Sequence, residues 1–443
     1  MATIVALATP MGRSGVAMLR LSGPEAKTIA SMVCPGGPSW RPRRASLRTA
    51  VGPDGPIDAL LVVWMPGPRS FTGEDVVELS CHGNPVIVEL LLSALIASGA
   101  RMARPGEFTR QALLSGRTTL LGAEALRSLI AATSPVGVAL AHAGMGGATD
   151  ALSASLSEAL LDLAAELEAR LDHPGDELGY EDDLAVIDGL HAVAGRAAAA
   201  ASSWRAGRVR IQGATVALIG SVNAGKSSLF NQLVGTTRAL VSPTPGTTRD
   251  VVERSVLLEG LEVRYLDTAG ERSSTDDPIE AAGIALGRTM TAEADLLLLI
   301  TPLSAPPDPT WSVLLERTAA LPRLRIGTHT DLPAHPDAPP VDLCVSSTTG
   351  DGVRLLKAAI RSQLSEDASG GEQLVVLSQR QHDLFRTVSE HAEQAAGALS
   401  SLLGPAIAAE EVTAALERLA ELSGEDVREA VLDRLFSKFC IGK

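Results

Sequence analysis

Residues 220–227 read Gly220-Ser221-Val222-Asn223-Ala224-Gly225-Lys226-Ser227. The octet fits G-x-x-x-x-G-K-[ST], the phosphate-binding loop of nucleotide-binding proteins. Its flanks support that reading. The apolar run ATVALI (214–219) predicts a strand into the loop, and SLFNQL (228–233) a helix out of it. Glycines let backbone amides curl around phosphate oxygens, and the helix N-terminus adds the positive end of its dipole. In this pattern Lys226 reaches the β- and γ-phosphates, Ser227 holds Mg²⁺, and Asn223, Ala224, Gly225 and Ser228 line the nucleotide. The bland alternative is a glycine-rich turn with no ligand. Against it, lysine occurs at only five positions in this chain (27, 226, 357, 438 and 443), with arginine dominating elsewhere.

Working outward, further strand candidates are VRYLD, DLLLLI, LRIG and DLCVSS, separated by stretches of helical length. That alternation predicts a doubly wound, mostly parallel sheet over about 209–372, ending at the polar linker SEDASGGEQ. Pro245-Gly246-Thr247-Thr248-Arg249-Asp250 supplies Thr248 as a magnesium ligand and γ-phosphate sensor. Asp267-Thr268-Ala269-Gly270 ends the strand candidate VRYLD as a D-x-x-G motif. Glu271 stands where a water-orienting glutamine is usual, so water must be positioned differently. Glu280 is the candidate. Read without a family, it is more readily an ordinary acid favoured by the dipole in the first turn after Pro278. The N-K-x-D base-recognition motif is eroded to Thr328-His329-Thr330-Asp331. Asp331 is kept to accept two hydrogen bonds from guanine, and Ser346 lies in a segment placed like the last guanine-binding loop. A lost buried partner costs ~1–3 kcal/mol, so GTP affinity should fall roughly tenfold to a hundredfold.

At 443 residues the chain should hold about three domains. Residues 1–118 look strand-rich, with glycine and proline punctuation. Leu152, Leu156, Leu160, Leu163, Leu167 and Leu171 predict an amphipathic helix, and Val427, Val431 and Leu435 another near the end. The expected plan is an N-terminal domain (1–118), a discontinuous helical domain (119–208 plus 373–443) and an inserted nucleotide domain (209–372). The net charge of −14 repels nucleic acid as a whole, so RNA binding needs a local basic patch or a partner. Arg41, Arg43, Arg44 and Arg48 form such a cluster, or simply a solvated arginine-rich loop. Four cysteines (34, 81, 344 and 440) with no paired metal-ligand spacing suit a reducing compartment. The N-terminus lacks a signal-peptide pattern, and the run Leu296–Ile300 is too short to span a bilayer, so the expectation is a cytoplasmic protein with no membrane.

Several blocks, in order, resemble one family. They are TIVALATPMGRSGVAMLRLSGP, SFTGEDVVELSCHGNPV, ARPGEFTRQALLSGR, GSVNAGKSSLFNQL, PGTTRD and the tail LFSKFCIGK. Together they are similar to the MnmE (TrmE) family of tRNA-modification GTPases. The resemblance implies a multidomain α/β protein: a P-loop GTPase domain inserted in a helical domain, preceded by an α+β domain that binds folate and dimerises. It implies a one-carbon tetrahydrofolate held by Arg20, Glu78, Arg117 and Lys443, with arginine at 117 where the family commonly has lysine. It implies K⁺ held by Asn223, Ser242, Thr244 and Thr247, and Glu280 as catalytic acid. Ser242, Thr247 and Thr248 join the GTP site with Asp267, Thr268, Ala269 and Gly270. The implied partners are tRNA, a second copy in a homodimer and an MnmG-like flavoprotein, acting together on the wobble uridine. Cys440 is either a redox group near the folate or a small packing residue. Two other readings compete: a ribosome-assembly GTPase, which lacks this N-terminal domain and tail, and a folate- and partner-binding scaffold with weak or lost turnover.

Overall fold

The computed structural model describes residues 2–36, 39–172, 180–221, 223–235, 251–268, 294–366, 376–401, 404–425, 429–439 and 441–442. The chain forms two compact units, Met1–Arg127 with Leu416–Lys443, and Ser128–Ala415.

The first unit opens with β1 (Ile4–Leu7), β2 (Ser14–Ser22), α1 (Ala26–Val33), β3 (Ser46–Gly52), β4 (Gly55–Met65), β5 (Val76–Gly83), α2 (Pro85–Ala97), β6 (Arg101–Met102), α3 (Glu107–Leu114) and the start of α4 (Leu120–Ala131). Its sheet runs β3-β4-β5-β2-β1-β6, antiparallel except for the β1–β6 pair. The period of two sorts β2 into faces. Leu19 and Leu21 are fully buried in a core with Leu79, Ile29, Leu91 and Leu95 from β5, α1 and α2. Arg20 points the other way, in register with Glu78 of β5. Asn84 caps α2 by accepting from the Val86 amide at 2.9 Å, with Pro85 at the first helical position, where its missing N–H costs nothing.

The second unit holds the end of α4, then α5 (Pro135–Met145), α6 (Ala148–Asp172), α7 (Tyr180–Gln212), β7 (Ala214–Gly220), α8 (Lys226–Gly235), β8 (Val251–Leu258), β9 (Leu261–Thr268), β10 (Leu296–Pro302), α9 (Thr310–Arg317), β11 (Arg323–Thr328), β12 (Leu343–Cys344), α10 (Val353–Glu366), α11 (Gln379–Leu399) and much of α12 (Pro405–Ser423). Its sheet runs β12-β11-β10-β7-β9-β8. Every pairing is parallel except β8–β9. Both faces are covered. Val216, Leu218, Leu296, Leu298 and Ile300 pack toward α8 and α10. The alternate residues Ala217, Ile219, Leu297 and Leu299 pack toward Trp311 and Leu314 of α9. Burial on two sides explains why β7 and β10 read as continuous apolar runs.

Three expectations change. The edge strand β8 lay outside the strand candidates, because VVERSVLL interrupts its apolar residues with Glu253, Arg254 and Ser255. DLCVSS yields only a two-residue strand, since the chain turns at Ser346, whose amide donates to Asp351 O at 3.0 Å. In α6, Leu156, Leu160 and Leu167 are fully buried but Leu171 is 41% exposed. There the buried face ends at Arg170, which pairs with Glu166 and Asp183.

Helices α7 and α11 flank the sheet in sequence and pack on each other. Trp204 Nε1 donates to Gln379 Oε1 at 2.9 Å, and Ser389 Oγ to Ala194 O at 3.0 Å. The stretch Asp183–Gln212 of α7 is long and apolar enough to cross a membrane by length and composition. Its apolar character is largely alanine, and Ala194, Ala197, Ala200 and Ala201 are buried.

The chain rejoins the first unit at Leu416, within α12, and continues there into α13 (Glu429–Phe436). Gly106, at φ 66°, faces it: a Cβ there would sit 2.8 Å from Phe436 O, so only glycine fits. Gly442, at φ 94°, lies so close to β1 that a Cβ would meet Leu7 O at 2.4 Å.

Candidate functional site

Parallel strands bring the carboxyl ends of β7, β9, β10 and β11 to one edge of the sheet, where open α/β sheets bind ligands. Gly220 ends β7, and a Cβ there would meet Ile300 O at 2.2 Å. Glycine therefore lets the loop start in contact with β10. The loop then uses two left-handed residues, Asn223 at φ 64° and Gly225 at φ 86°. Asparagine is among the few residues that tolerate this conformation. It leaves Asn223 exposed at the crest of the loop. Lys226 is buried at 7% exposure, and its Nζ donates to Gly220 O at 3.0 Å and Ser221 O at 2.6 Å. A buried ammonium held by carbonyls of its own loop is a cation poised for phosphate oxygens. Ser227 and Ser228 are exposed in the first turn of α8. Asp267 is half-buried near the end of β9, in register with Leu218 of β7. This set fits a nucleoside polyphosphate with its divalent cation.

The eroded motif is structurally occupied. Thr328 ends β11 at 1% exposure, and its Oγ1 donates to Ala224 O at 2.7 Å, with Thr301 O a second acceptor at 3.2 Å. The residue read as a loss in sequence is thus a clasp that ties the ends of β10 and β11 to the phosphate loop. His329 adopts φ 60°, and its Nδ1 lies 3.3 Å from Ser304 Oγ. A Cβ on Gly225 would meet the imidazole Nε2 at 3.5 Å, so the ring lies against the loop. Asp331 and Ser346 come together. The Ser346 hydroxyl donates to Asp331 Oδ1 at 2.8 Å and accepts from the Thr349 amide at 3.1 Å. That hydroxyl bond, aided by the Asp331 backbone amide and the nearby His329, holds the Asp331 carboxyl below its ordinary range. An exposed, ionised carboxylate at this edge can accept paired N–H donors of a purine.

Thr268 ends β9 in its backbone. Val222, Ser242, Thr244, Thr247, Thr248, Ala269, Gly270 and Glu280 lie outside the described residues, as do Cys440 and Lys443.

In the first unit a second cluster forms. Arg20 Nε and Nη2 donate to Glu78 Oε1 at 3.0 and 2.8 Å, and Nη1 donates to Gly442 O at 3.4 Å. The guanidinium carbon lies 5.8 Å from the Phe71 ring centre and 6.0 Å from that of Phe108. Glu78 Oε2 takes no bond from the described residues and can accept from a ligand N–H. Arg117 Nε donates to Ser70 O at 3.2 Å, beside Phe71 in sequence. Phe71 and Gly442, which join Arg20 and Glu78 here, lie inside the family-like blocks SFTGEDVVELSCHGNPV and LFSKFCIGK, but neither carries a titratable group that marks it as a site residue in sequence.

The arginine cluster needs a correction. Arg48 is buried at 5% exposure, with its guanidinium 4.4 Å from the Trp40 ring centre and donating to Cys34 O and Gly36 O. It is a packing residue, not part of a basic surface. Burial pushes the Cys34 thiol up to about 11 and also raises Cys81. Neither is a reactive thiolate at neutral pH.

A phosphate loop between β7 and α8, a sheet wound on both faces and an aspartate just beyond β11 define a P-loop protein of the GTPase class. Comparison with known proteins narrows this. The profile described as "GTP-binding protein TrmE N-terminus" matches residues 3–117, and that of the "MnmE helical domain" matches 120–440. The chain is 40% identical, over 100% of its length and 99% of the relative's, to the tRNA modification GTPase MnmE of Synechococcus sp. (strain CC9605). Proteins of the same name from Chloroflexus aurantiacus and Chlamydia felis are 38% and 36% identical over 100% of this chain and 99% of theirs. The chain belongs to the MnmE family. A solved structure of Aquifex aeolicus Era bound to GDP.AlF4- aligns over 40% of this chain and 66% of that one, at 22% identity and a TM-score of 0.29, too low to add to the assignment.

Proposed function

We propose that the chain is a cytoplasmic, potassium-dependent GTPase that acts with an MnmG-like flavoprotein on the wobble uridine of tRNA, adding an aminomethyl- or carboxymethylaminomethyl-type group from a one-carbon tetrahydrofolate. The supporting observation is the phosphate-loop crevice, where buried Lys226, Thr328 and the Asp331–Ser346 pair meet at the strand ends of an MnmE family member. In this reading residues 1–118 form the folate-binding and dimerising domain, 119–208 with 373–443 the helical domain, and 209–372 the inserted GTPase domain.

Lys226 exchanges its loop carbonyls for phosphate oxygens. Ser227 and Thr248 would hold Mg²⁺, with Asp267 as the further acid of that site. Asn223, exposed at the loop crest, holds K⁺ together with Ser242, Thr244 and Thr247. Held there, K⁺ would supply positive charge to offset the charge that develops on cleavage. Glu280 orients the attacking water. Hydrolysis drives opening and closing of the paired GTPase domains in the homodimer. Arg20, Glu78, Arg117 and Lys443 bind the folate, with Glu78 Oε2, which takes no bond from the described residues, as an acceptor for its N–H groups.

GTP turnover in potassium and sodium buffers, with Glu280→Ala and an ATP control, tests the first half. Expected are GTP preference, a fall of about 10²-fold in sodium and about 10²–10⁴-fold in the variant. No turnover even at high GTP would leave the scaffold reading in front. For the folate, calorimetry should show Arg20→Ala and Glu78→Gln each weakening binding about tenfold to a hundredfold, the value of a charged hydrogen bond. Unchanged affinity would remove the cluster from that role.

A further inference from the structure

The chain as a whole is strongly acidic, but its sign is not uniform. Residues 1–127 carry 13 Lys/Arg against 9 Asp/Glu, whereas the remainder carries 25 against 43. The cationic surplus has a built focus. Arg41, Arg43, Arg44 and Arg69 are all exposed. Among the described residues none of the four has a carboxylate within ion-pair distance.

Their placement is structured. Residues 41–44 form a β-turn closed by the Arg44 amide on Arg41 O at 3.3 Å, with Pro42 at its second position and Arg43 at its third at φ 58°. Glycine is favoured at that third position. Here an arginine occupies it at a steric cost, which brings three arginines into one four-residue turn. The turn is anchored from behind. The Arg43 amide donates to Trp64 O at 2.8 Å, and the Arg48 guanidinium stacks on Trp40. Arg43 Nη2 donates to Arg69 O, which joins the two arginine-bearing loops. Beside the turn lies an open cleft of about 270 Å³, lined by Ser39, Arg41, Arg44, Ala45 and Ser46. Two guanidiniums and two hydroxyls around one cleft suit phosphodiester oxygens, which arginine forks bind well.

We propose that the Arg41–Arg44 turn, with Arg69 beside it, is a phosphate-contacting surface for the RNA backbone. This rests on the reading that tRNA is the substrate, and it adds where an acidic protein makes contact. Phosphate contacts of this kind position the RNA and leave base reading to other groups.

The test measures binding of a tRNA anticodon stem-loop to the full chain by fluorescence anisotropy across salt concentrations. It compares wild type, Arg41→Ala/Arg44→Ala, and Arg386→Ala as a control for loss of charge far away in sequence. Each phosphate contact contributes about 0.7–0.9 to the slope of log K against log salt. The double variant should therefore lose about 1.4–1.8 from the slope and bind about 25- to 60-fold more weakly at 0.1 M salt. The control should match wild type, and GTP turnover without RNA should be the same in all three. An unchanged slope, with wild-type binding intact, overturns this surface and leaves the tRNA reading standing. If wild type binds no RNA even at low salt, both fall. Loss of binding to phosphatidylserine vesicles in the double variant, with RNA binding untouched, would assign the patch to a membrane and overturn the proposal.

Discussion

Asp295→Ala is expected to destabilise the second unit by about 3–5 kcal/mol, the cost of removing one partner from a buried ion pair. Asp295 immediately precedes β10 and is 4% exposed. Its Oδ2 accepts the Thr215 amide at 2.9 Å, and its Oδ1 accepts Arg208 Nη2 from α7. Its backbone carbonyl accepts Arg205 Nη2 at 3.2 Å, and its amide donates to Thr215 O at 2.8 Å. Alanine would leave a nearly buried amide and a guanidinium without their shared acceptor. At about 2–4 °C per kcal/mol for a unit of this size, the calorimetric transition should fall by roughly 6–20 °C. Asp295→Asn retains an acceptor for Thr215 and should cost about half as much. A transition unmoved in Asp295→Ala would mean that the clasp contributes nothing to cooperative folding. The clasp bears on function because β7 runs from Thr215 to Gly220 without a break. Helix α7 therefore grips the strand whose far end carries the phosphate loop.

Restoring the eroded motif with Thr328→Asn and His329→Lys should tighten GTP binding by about tenfold to a hundredfold, the value of a recovered buried hydrogen bond. Most of the gain is assigned to position 328. Asparagine is close to threonine in size, can keep a donor on Ala224 O, and adds an acceptor at the crevice. Position 329 contributes less, because its φ of 60° suits histidine better than lysine. In the opposite direction, Thr328→Val keeps the shape but deletes the hydroxyl that holds Ala224 O at 2.7 Å. It should weaken nucleotide binding while fold stability changes little more than for an ordinary buried hydroxyl. Calorimetric titration of GTP into the three proteins decides the matter. Equal affinity for wild type and the restored variant would mean that the threonine clasp already does the work of asparagine.

The nucleotide-binding half was the most legible part of the chain. Gly220, Gly225 and Lys226 announce a phosphate loop because backbone amides and one lysine can cradle phosphates only in a few patterns. Strands β7 and β10 announce themselves because burial on two faces demands unbroken apolar runs. The edge strand β8 was illegible for the complementary reason: a strand at the margin keeps charged residues in its alternation. Arg48 misled because composition cannot separate a guanidinium stacked on Trp40 from one in water.

Sequence by itself determined the GTPase class and the residue types at the phosphate loop, which follow from local spacing, and its ordered blocks carried the resemblance to the MnmE family. Only the tertiary structure decided what touches what across the chain. It made Thr328 a clasp on Ala224, 104 positions away. It set Arg20 on Glu78 and the Gly442 carbonyl, and it turned Asp295 into the acceptor shared by α7 and β7. Those contacts join residues far apart in sequence, where only the packing of helices and sheets fixes the distance at which a hydrogen bond can form.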